Sequence, residues 1–500
     1  MEQSKLLESK KAKAILGFFL LITAVLTLLR LVNLDADMPS NITSSATLYG
    51  DEGTYASNAL KYFYTGNWYV IGDFNYPVHY PVYFVLEVIV FKLFGASFET
   101  VRAISAVSAV LVIFTIWLIV QPRVSNLAAA ITTFLISSNY LFFAFSRYGQ
   151  ADIPTLLFVV LSLACLLLGK TTPASWRTIL SALLLVCAIL TKTTAVFAIP
   201  VLLVLIWQQQ QTAKNRAIHL AIFLGIISLI FTVYYILLVK PYFADYQRIA
   251  TSLKYRFYNT VNAILLSFWK QFKFGSYKIS RLVYASALIS GLFLLVSWKE
   301  IRDKLLVMIS LVWLASGSFV LSLSSYQPPR YFSHLVVPLA ILVGIGIDHL
   351  IRVNRVKEMC IIGYLMLGIV LFASLQGIVK ITQYMVSPQY SMYRMSEDIH
   401  RQIEAEKIPL PLLLGSIGQN VTLANGLPSV GGAFVYGLDT DLLLKYHHPT
   451  HYLTLGPVVN SRSYILTKAG YQLKLIKKYD VLNNYVEGRQ VHLYQMLKKR

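Results

Sequence analysis

Apolar runs of about 20 residues, the length that spans a bilayer as a helix, recur along this chain from residue 14 to residue 380. No other feature limits its fold so strongly. A chain of this kind buries most of its core in lipid and confines its polar residues to helix ends and the loops between them. The composition agrees: 56% of residues are hydrophobic and 13% are charged, against roughly a quarter charged in a soluble domain. The net charge of +21 is large enough for a nucleic-acid binder, but no DNA- or RNA-binding motif accompanies it. Basic residues that flank helices on the cytoplasmic side and meet anionic headgroups account for it. The lipid bilayer is therefore the expected partner and nucleic acid is not. Cys165, Cys187 and Cys360 all sit in apolar runs, which argues against a disulfide framework.

Lys5, Lys10, Lys11 and Lys13 precede the first apolar run, at about 14–33. Leu-Asp-Ala-Asp follows it rather than a small-residue cleavage site, so an uncleaved signal anchor with a cytoplasmic N-terminus is expected. The next run, 81–95, is short and holds Glu87 and Lys92. It reads as a helix lying in the outer interface. Further spans then fall near 103–121, 126–145, 153–170, 178–191, 194–209, 217–239, 282–297, 305–324, 332–350 and 359–379. With this assignment every inner loop is basic, from Arg123 through Lys170, Lys214 and Lys299 to Arg352. If 81–95 crossed, all these clusters would face outward. The expectation is a polytopic α-helical membrane protein with about eleven transmembrane helices and a C-terminus outside. A multi-pass protein of the plasma (inner) membrane is expected.

A long outer loop at about 241–281 holds a second candidate interfacial helix, Val261 to Trp269. From about residue 385 the composition becomes that of a soluble domain. A helix is expected at 392–406, and short strands at Pro411–Leu414, His451–Leu455, Ser463–Leu466, Tyr471–Leu475 and Val491–Gln495. The chain thus divides into a membrane module, 1–380, whose outer loop 34–102 holds an Asp-Glu pair, and a small extracytoplasmic α/β domain, 385–500.

This topology brings four polar stretches to the outer side: the Asp51-Glu52 loop, Ser146 to Asp152, Thr191-Lys192-Thr193-Thr194, and Tyr326 to Tyr331. Asp51 and Glu52 suit a helix start, where the dipole and free N–H groups favour carboxylates. They equally suit a general base for an acceptor hydroxyl, with Glu52 assisting. Tyr55 and Tyr83 lie close by as pocket candidates. His79 either shares an aromatic belt at the interface or touches phosphate or acceptor. Arg147 and Asp152 either pair with each other, or hold an acidic group and orient the acceptor. Lys192, in an apolar stretch, is costly unless paired or snorkelling, and a lipid phosphate would suit it. Arg330 follows Pro328-Pro329 and is either a snorkelling helix end or a fork for phosphate. Asp348 and His349 lie at the opposite end and read as structural, and Gly344 and Gly346 read as helix packing. No metal-ligand spacing and no nucleotide-binding glycine motif appear. Asn41-Ile42-Thr43 and Asn420-Val421-Thr422 are sequons.

Taken in order, Tyr49-Gly50-Asp51-Glu52-Gly53-Thr54-Tyr55-Ala56, Tyr80-Pro81-Val82-Tyr83, Leu93-Phe94-Gly95, Arg102 with Ser105-Ala106, Ser146-Arg147 with Asp152, Leu190-Thr191-Lys192 and Pro329-Arg330-Tyr331 with Pro338 carry a resemblance. Over roughly residues 14–350 the chain resembles the phospholipid-carrier-dependent glycosyltransferases of the GT-C superfamily. Its pattern is similar to that of protein O-mannosyltransferases (glycosyltransferase family 39) and lipid A aminoarabinose transferases. The chain departs from that pattern at His79-Tyr80-Pro81, where a double proline is common. The resemblance implies an outward-facing site, with Asp51 as catalytic base and Asp152 as a second acidic residue. It also implies a juxtamembrane helix at 81–95. A polyprenyl-phosphate sugar would be the donor, and a glycan, lipid or protein hydroxyl the acceptor. Arg330, Lys192 and Arg147 would meet the donor phosphate. One base and one displacement imply inversion at the anomeric carbon. No cofactor is required, and the reading is compatible with a divalent metal. The rival reading is a transporter or flippase of a lipid-linked sugar, which would place charges at the bilayer midplane on repeated, broken helices.

Overall fold

The computed structural model describes residues 16–38, 48–168, 174–352, 357–431, 439–458, 460–481 and 490–498. The lysines before residue 14, the Asn41 sequon and the side chains of Tyr49 and Gly50 lie outside the described residues.

The chain begins with α1 (Leu16–Leu31). Next come α2 (Leu48–Thr65), whose first turn holds Asp51, and α3 (Pro81–Phe94). Pro81 suits the first turn of α3, where its missing N–H would be unpaired anyway. α3 turns Tyr83, Glu87 and Phe91 inward and leaves Val85, Ile89, Leu93 and Phe94 exposed. An apolar outer face on a 14-residue helix is the form of a segment that lies in an interface. α4 (Phe98–Arg123) starts on a capping box from Ser97 and Thr100. There follow α5 (Asn126–Ser138), α6 (Tyr140–Phe145), α7 (Asp152–Leu168), α8 (Ala174–Thr191), α9 (Ala198–Gln209) and α10 (Ala213–Tyr234). The long loop after α10 holds α11 (Phe243–Leu253) and α12 (Val261–Ile279). α13 (Arg281–Val296), α14 (Lys304–Ser322), α15 (Ser333–Arg352) and α16 (Lys357–Val386) complete the bundle.

Among the described residues, six helices are long and apolar enough to cross a membrane. Shorter apolar helices at Leu16–Leu31, Asn126–Ser138, Asp152–Leu168, Thr193–Gln209 and Arg281–Val296 occupy the other expected spans. Close approach of α15 to its neighbours needs its glycines. A Cβ on Gly344 would fall 2.2 Å from Thr132 Oγ1, and one on Gly346 would fall 2.5 Å from Ser290. At one end of the bundle, Arg123 pairs with Asp303 at 2.9 Å and Ser125 donates to Asp348 at 2.6 Å. Asp348 thus has the structural role expected of it. The opposite end collects the C-termini of α1 and α8 and the N-termini of α7 and α15.

After α17 (Ser391–Ala405) the chain forms a five-stranded mixed sheet. It comprises β1 (Leu413–Leu414), α18 (Ser416–Asn425), β2 (Ser429–Val430), α19 (Thr440–His447), β3 (His451–Leu455), α20 (Asn460–Lys468), β4 (Tyr471–Tyr479) and β5 (Val491–Lys498). The strand order is β2-β1-β3-β5-β4, parallel from β2 to β3 and antiparallel from β3 to β4. Ser463–Leu466, expected as a strand, lies in helix α20 instead. Four residues are too few to separate period 2 from period 3.6. Edge strand β4 presents Lys474, Lys477 and Lys478, charges that deter pairing with another sheet.

The sheet domain is docked on the bundle by polar contacts. Asp37 accepts from the amides of Ser391 and Met392 at 2.7 and 3.1 Å. Gly431 N–H donates to Asp73 at 3.1 Å. Asp73 is buried, which pulls its carboxyl upward. The Lys61 ammonium 2.5 Å away, with the Phe74 and Gly431 amides, more than offsets this and holds it below the usual carboxylate range. Asn420, the sequon residue, is 1% exposed and lies against α2, so it is closed to modification in the folded chain.

Candidate active site

Asp51, in the first turn of α2, accepts from Gln150 Nε2 at 3.1 Å and faces Arg330 Nη1 at 3.2 Å. Asp152, at the start of α7, meets Lys192 Nζ at 2.6 Å through Oδ1. Its Oδ2 stands 4.0 Å from Arg330 Nε. One guanidinium therefore spans two carboxylates, with a second cation beside them. Among the described residues, Arg330 Nε and Asp152 Oδ2 are buried with no hydrogen-bond partner. Buried charged groups are normally hydrogen-bonded, and these two atoms are left facing each other across 4.0 Å.

Local sequence explains the placement. Lys192 is the residue where α8 ends and the chain turns into the helix of residues 193–209. Its extended backbone sends the ammonium back toward α7. Pro328 and Pro329 set the chain direction into Arg330. Tyr331 lies beneath both cations, with Lys192 Nζ 4.3 Å and the Arg330 guanidinium 5.4 Å from its ring centre. Tyr326 takes Arg256 at 4.4 Å and Arg330 at 6.0 Å. A wall of tyrosines closes one side: Tyr55 lies 4.7 Å from Tyr76, 6.3 Å from Tyr80 and 5.9 Å, edge-on, from Tyr83. Tyr83 is fully buried, and burial keeps its phenol protonated.

The structure brings Asp51, Asp152, Arg330 and Lys192 together, with Tyr55 and Tyr83 behind them. Glu52 is turned elsewhere. Both its oxygens are held by Arg102, at 2.7 Å each, and Oε1 also accepts from Gly149 N–H at 2.8 Å. With its acceptors committed, Glu52 positions the start of α2 rather than serving as a second base. Arg147 neither pairs with Asp152 nor faces the cluster. It donates to the carbonyls of Leu29, Arg30 and Asn33 at 2.9, 3.0 and 2.6 Å, capping the end of α1. The three carbonyls hold its terminal nitrogens toward α1 and away from Lys192 and Arg330.

His79 stacks on Tyr246 at 4.7 Å, and burial pulls its imidazole down to about 4. It is neutral near pH 7 and adds no positive charge for phosphate. The unfolded chain takes up a proton near pH 6.5, whereas the folded chain resists until about pH 4. The stability due to His79 is therefore complete above about pH 6.5 and lost as the pH falls toward 4, on the order of 3 kcal/mol in all. In melting curves taken in detergent from about pH 7 to about pH 4.5, His79→Phe is expected to lose less stability than the parent chain. Equal losses would mean that the imidazole takes up its proton at the same pH in the folded and the unfolded chain.

Sequence reasoning gave no role to Gln150 and Tyr326, which lie in stretches expected at the site, or to Arg256 in the long loop. Gln150 lay in view within the Ser146–Asp152 stretch, whereas Arg256 is brought in by the long outer loop and had no local signal. Glu87 is buried without a partner for either oxygen among the described residues, and burial pushes its carboxyl well up, toward the neutral acid.

Residues 78–236 match the family model described as dolichyl-phosphate-mannose-protein mannosyltransferase. No curated protein matches the chain. Among solved structures, ArnT from Cupriavidus metallidurans, bound to undecaprenyl phosphate, superposes with a TM-score of 0.60 at 17% identity, covering 96% of this chain and 98% of that one. The oligosaccharyltransferase AglB from Archaeoglobus fulgidus, in complex with an inhibitory peptide and a dolichol-phosphate, gives a TM-score of 0.57 at 12% identity, covering 92% and 73%. The bundle with its C-terminal sheet has the fold of these proteins. The chain is thus similar to that family model over residues 78–236 and shares its fold with ArnT and AglB.

Proposed function

We propose that this protein transfers a sugar from a polyprenyl-phosphate-linked donor to an acceptor hydroxyl at the outer face of the membrane. The observation that carries this reading is the Arg330 guanidinium held between Asp51 and Asp152 with its Nε–H unpaired and Lys192 alongside. Two cations over aromatic rings at the end of a helical bundle suit a phosphate whose lipid tail lies in the bilayer. The basic far end of the bundle, with Arg123 and Arg352, would face the cytoplasm.

Donor phosphate would compete with Asp51 for Arg330. Once Arg330 turns to phosphate, Asp51 can accept a proton. The acceptor O–H then gives its proton to Asp51, and its oxygen attacks the anomeric carbon. The bond from that carbon to the phosphate oxygen breaks, and the electron pair leaves on polyprenyl phosphate. Arg330 and Lys192 meet the charge that develops there. One displacement inverts the anomeric configuration. Asp152 keeps Lys192 and Arg330 in place, and the tyrosine wall offers a face for the sugar.

The test uses the full chain in lipid nanodiscs with a panel of polyprenyl-phosphate sugars, each with and without candidate acceptors. Release of polyprenyl phosphate from one donor, dependent on an acceptor, is expected. Donors that bind without release, whatever the acceptor, would point to a carrier of lipid-linked sugars instead.

A further inference from the structure

The turn that carries Asp51 is held from two sides. From the bundle, Arg102 and the Gly149 amide hold Glu52. From the outer domain, α18 lies along α2. Asn420 Oδ1 accepts from Gly53 N–H at 2.6 Å, and Gln419 Nε2 donates to Ser57 Oγ at 2.8 Å. Asn420 and Gln419 are each 1% exposed. The approach is so close that a Cβ on Gly53 would sit 2.4 Å from both the backbone nitrogen and Oδ1 of Asn420. Only glycine allows α18 to reach this turn. Asp439 N–H to Gly72 O at 3.0 Å, and Gly431 N–H to Asp73, repeat the docking farther along the same outer loop.

We propose that α18 is part of the catalytic unit and that Asn420 is a positioning residue which, through Gly53, sets the turn that presents Asp51. The sheet domain is then no separate acceptor-binding module, because the acidic turn is assembled only when α18 is seated. The inference rests on the reading of Asp51 as the base. A carboxylate that must meet both an acceptor hydroxyl and Arg330 tolerates little displacement, and a shift near 1 Å costs about 100-fold. The proposed donor phosphate contacts lie elsewhere, Arg330 in the turn before α15 and Lys192 just after α8.

The experiment measures kcat and donor KM for Asn420→Ala, with donor-binding stoichiometry by titration and a melting curve. A fall in kcat of about 10–100-fold is expected, with donor KM and stoichiometry unchanged. Wild-type kcat per binding site would overturn the proposal. Gln419→Met, which removes the bond to Ser57, carries the same test if Asn420→Ala does not fold. Asp51→Asn run in parallel separates the two ideas. If that variant keeps transferring sugar, the base assignment is wrong. If it is inactive while Asn420→Ala turns over normally, only the role of α18 is wrong.

Discussion

Asp51→Asn is expected to lower kcat for sugar transfer by about 10²–10⁴-fold while donor affinity stays level or improves. Asparagine keeps the size of the side chain and an oxygen for Gln150 Nε2, which lies 3.1 Å from Asp51 Oδ2. It loses the ability to accept a proton near pH 7, and it loses the charge that holds Arg330 at 3.2 Å. A freed Arg330 favours phosphate, so binding and turnover should move apart. Single-turnover release of polyprenyl phosphate at saturating donor isolates the chemical step from product departure. A variant whose KM rises while kcat is kept would make Asp51 a binding group and shift the search for a base to Asp152.

The second large effect is expected at Arg102. Arg102 and Glu52 are 3% and 2% exposed. They meet in a fork at 2.7 Å, while Arg102 Nη1 also donates to the carbonyls of Leu34 and Ala36. Arg102→Ala leaves the Glu52 carboxylate buried without its cation, which costs about 3–5 kcal/mol. It also releases the segment between α1 and α2. Loss of activity should accompany the drop in melting temperature, because Glu52 adjoins Asp51. Arg102→Lys should rescue little, since a point charge cannot serve two carboxylate oxygens and two carbonyls at once. The double variant Glu52→Gln with Arg102→Met should melt above Arg102→Ala, because it removes the uncompensated charge. If Arg102→Ala melts with the parent chain, water reaches Glu52 and the fork is not what holds the turn.

Much of this protein could be read along the chain. The apolar runs located the bundle helices, and Glu87 with Lys92 marked 81–95 as a segment apart. Lys192 and Arg330 stood out as charges at the ends of apolar helices, whereas Asp51 and Asp152 were singled out from helix starts and from the family resemblance. In the outer domain His451–Leu455 came out as a strand, whereas α18, α19 and β2 were missed. Those elements are short, and their burial comes from the bundle and sheet they pack on rather than from a long period of their own.

The apolar length of a helix and the basic residues at its end are properties of contiguous residues, because the bilayer acts on each segment separately. The helical framework and its polar ends follow from these alone. Partnership between polar ends does not. Arg147 and Arg330 are both arginines at helix ends, yet one caps α1 through three carbonyls and the other bridges Asp51 and Asp152. Glu52 adjoins Asp51, yet it belongs to Arg102. Gly53 finds its acceptor on Asn420, 367 residues away. The rotation of each helix about its axis and the seating of the outer domain choose these pairings. Both come from packing among distant elements, where about one ångström separates a hydrogen bond from none.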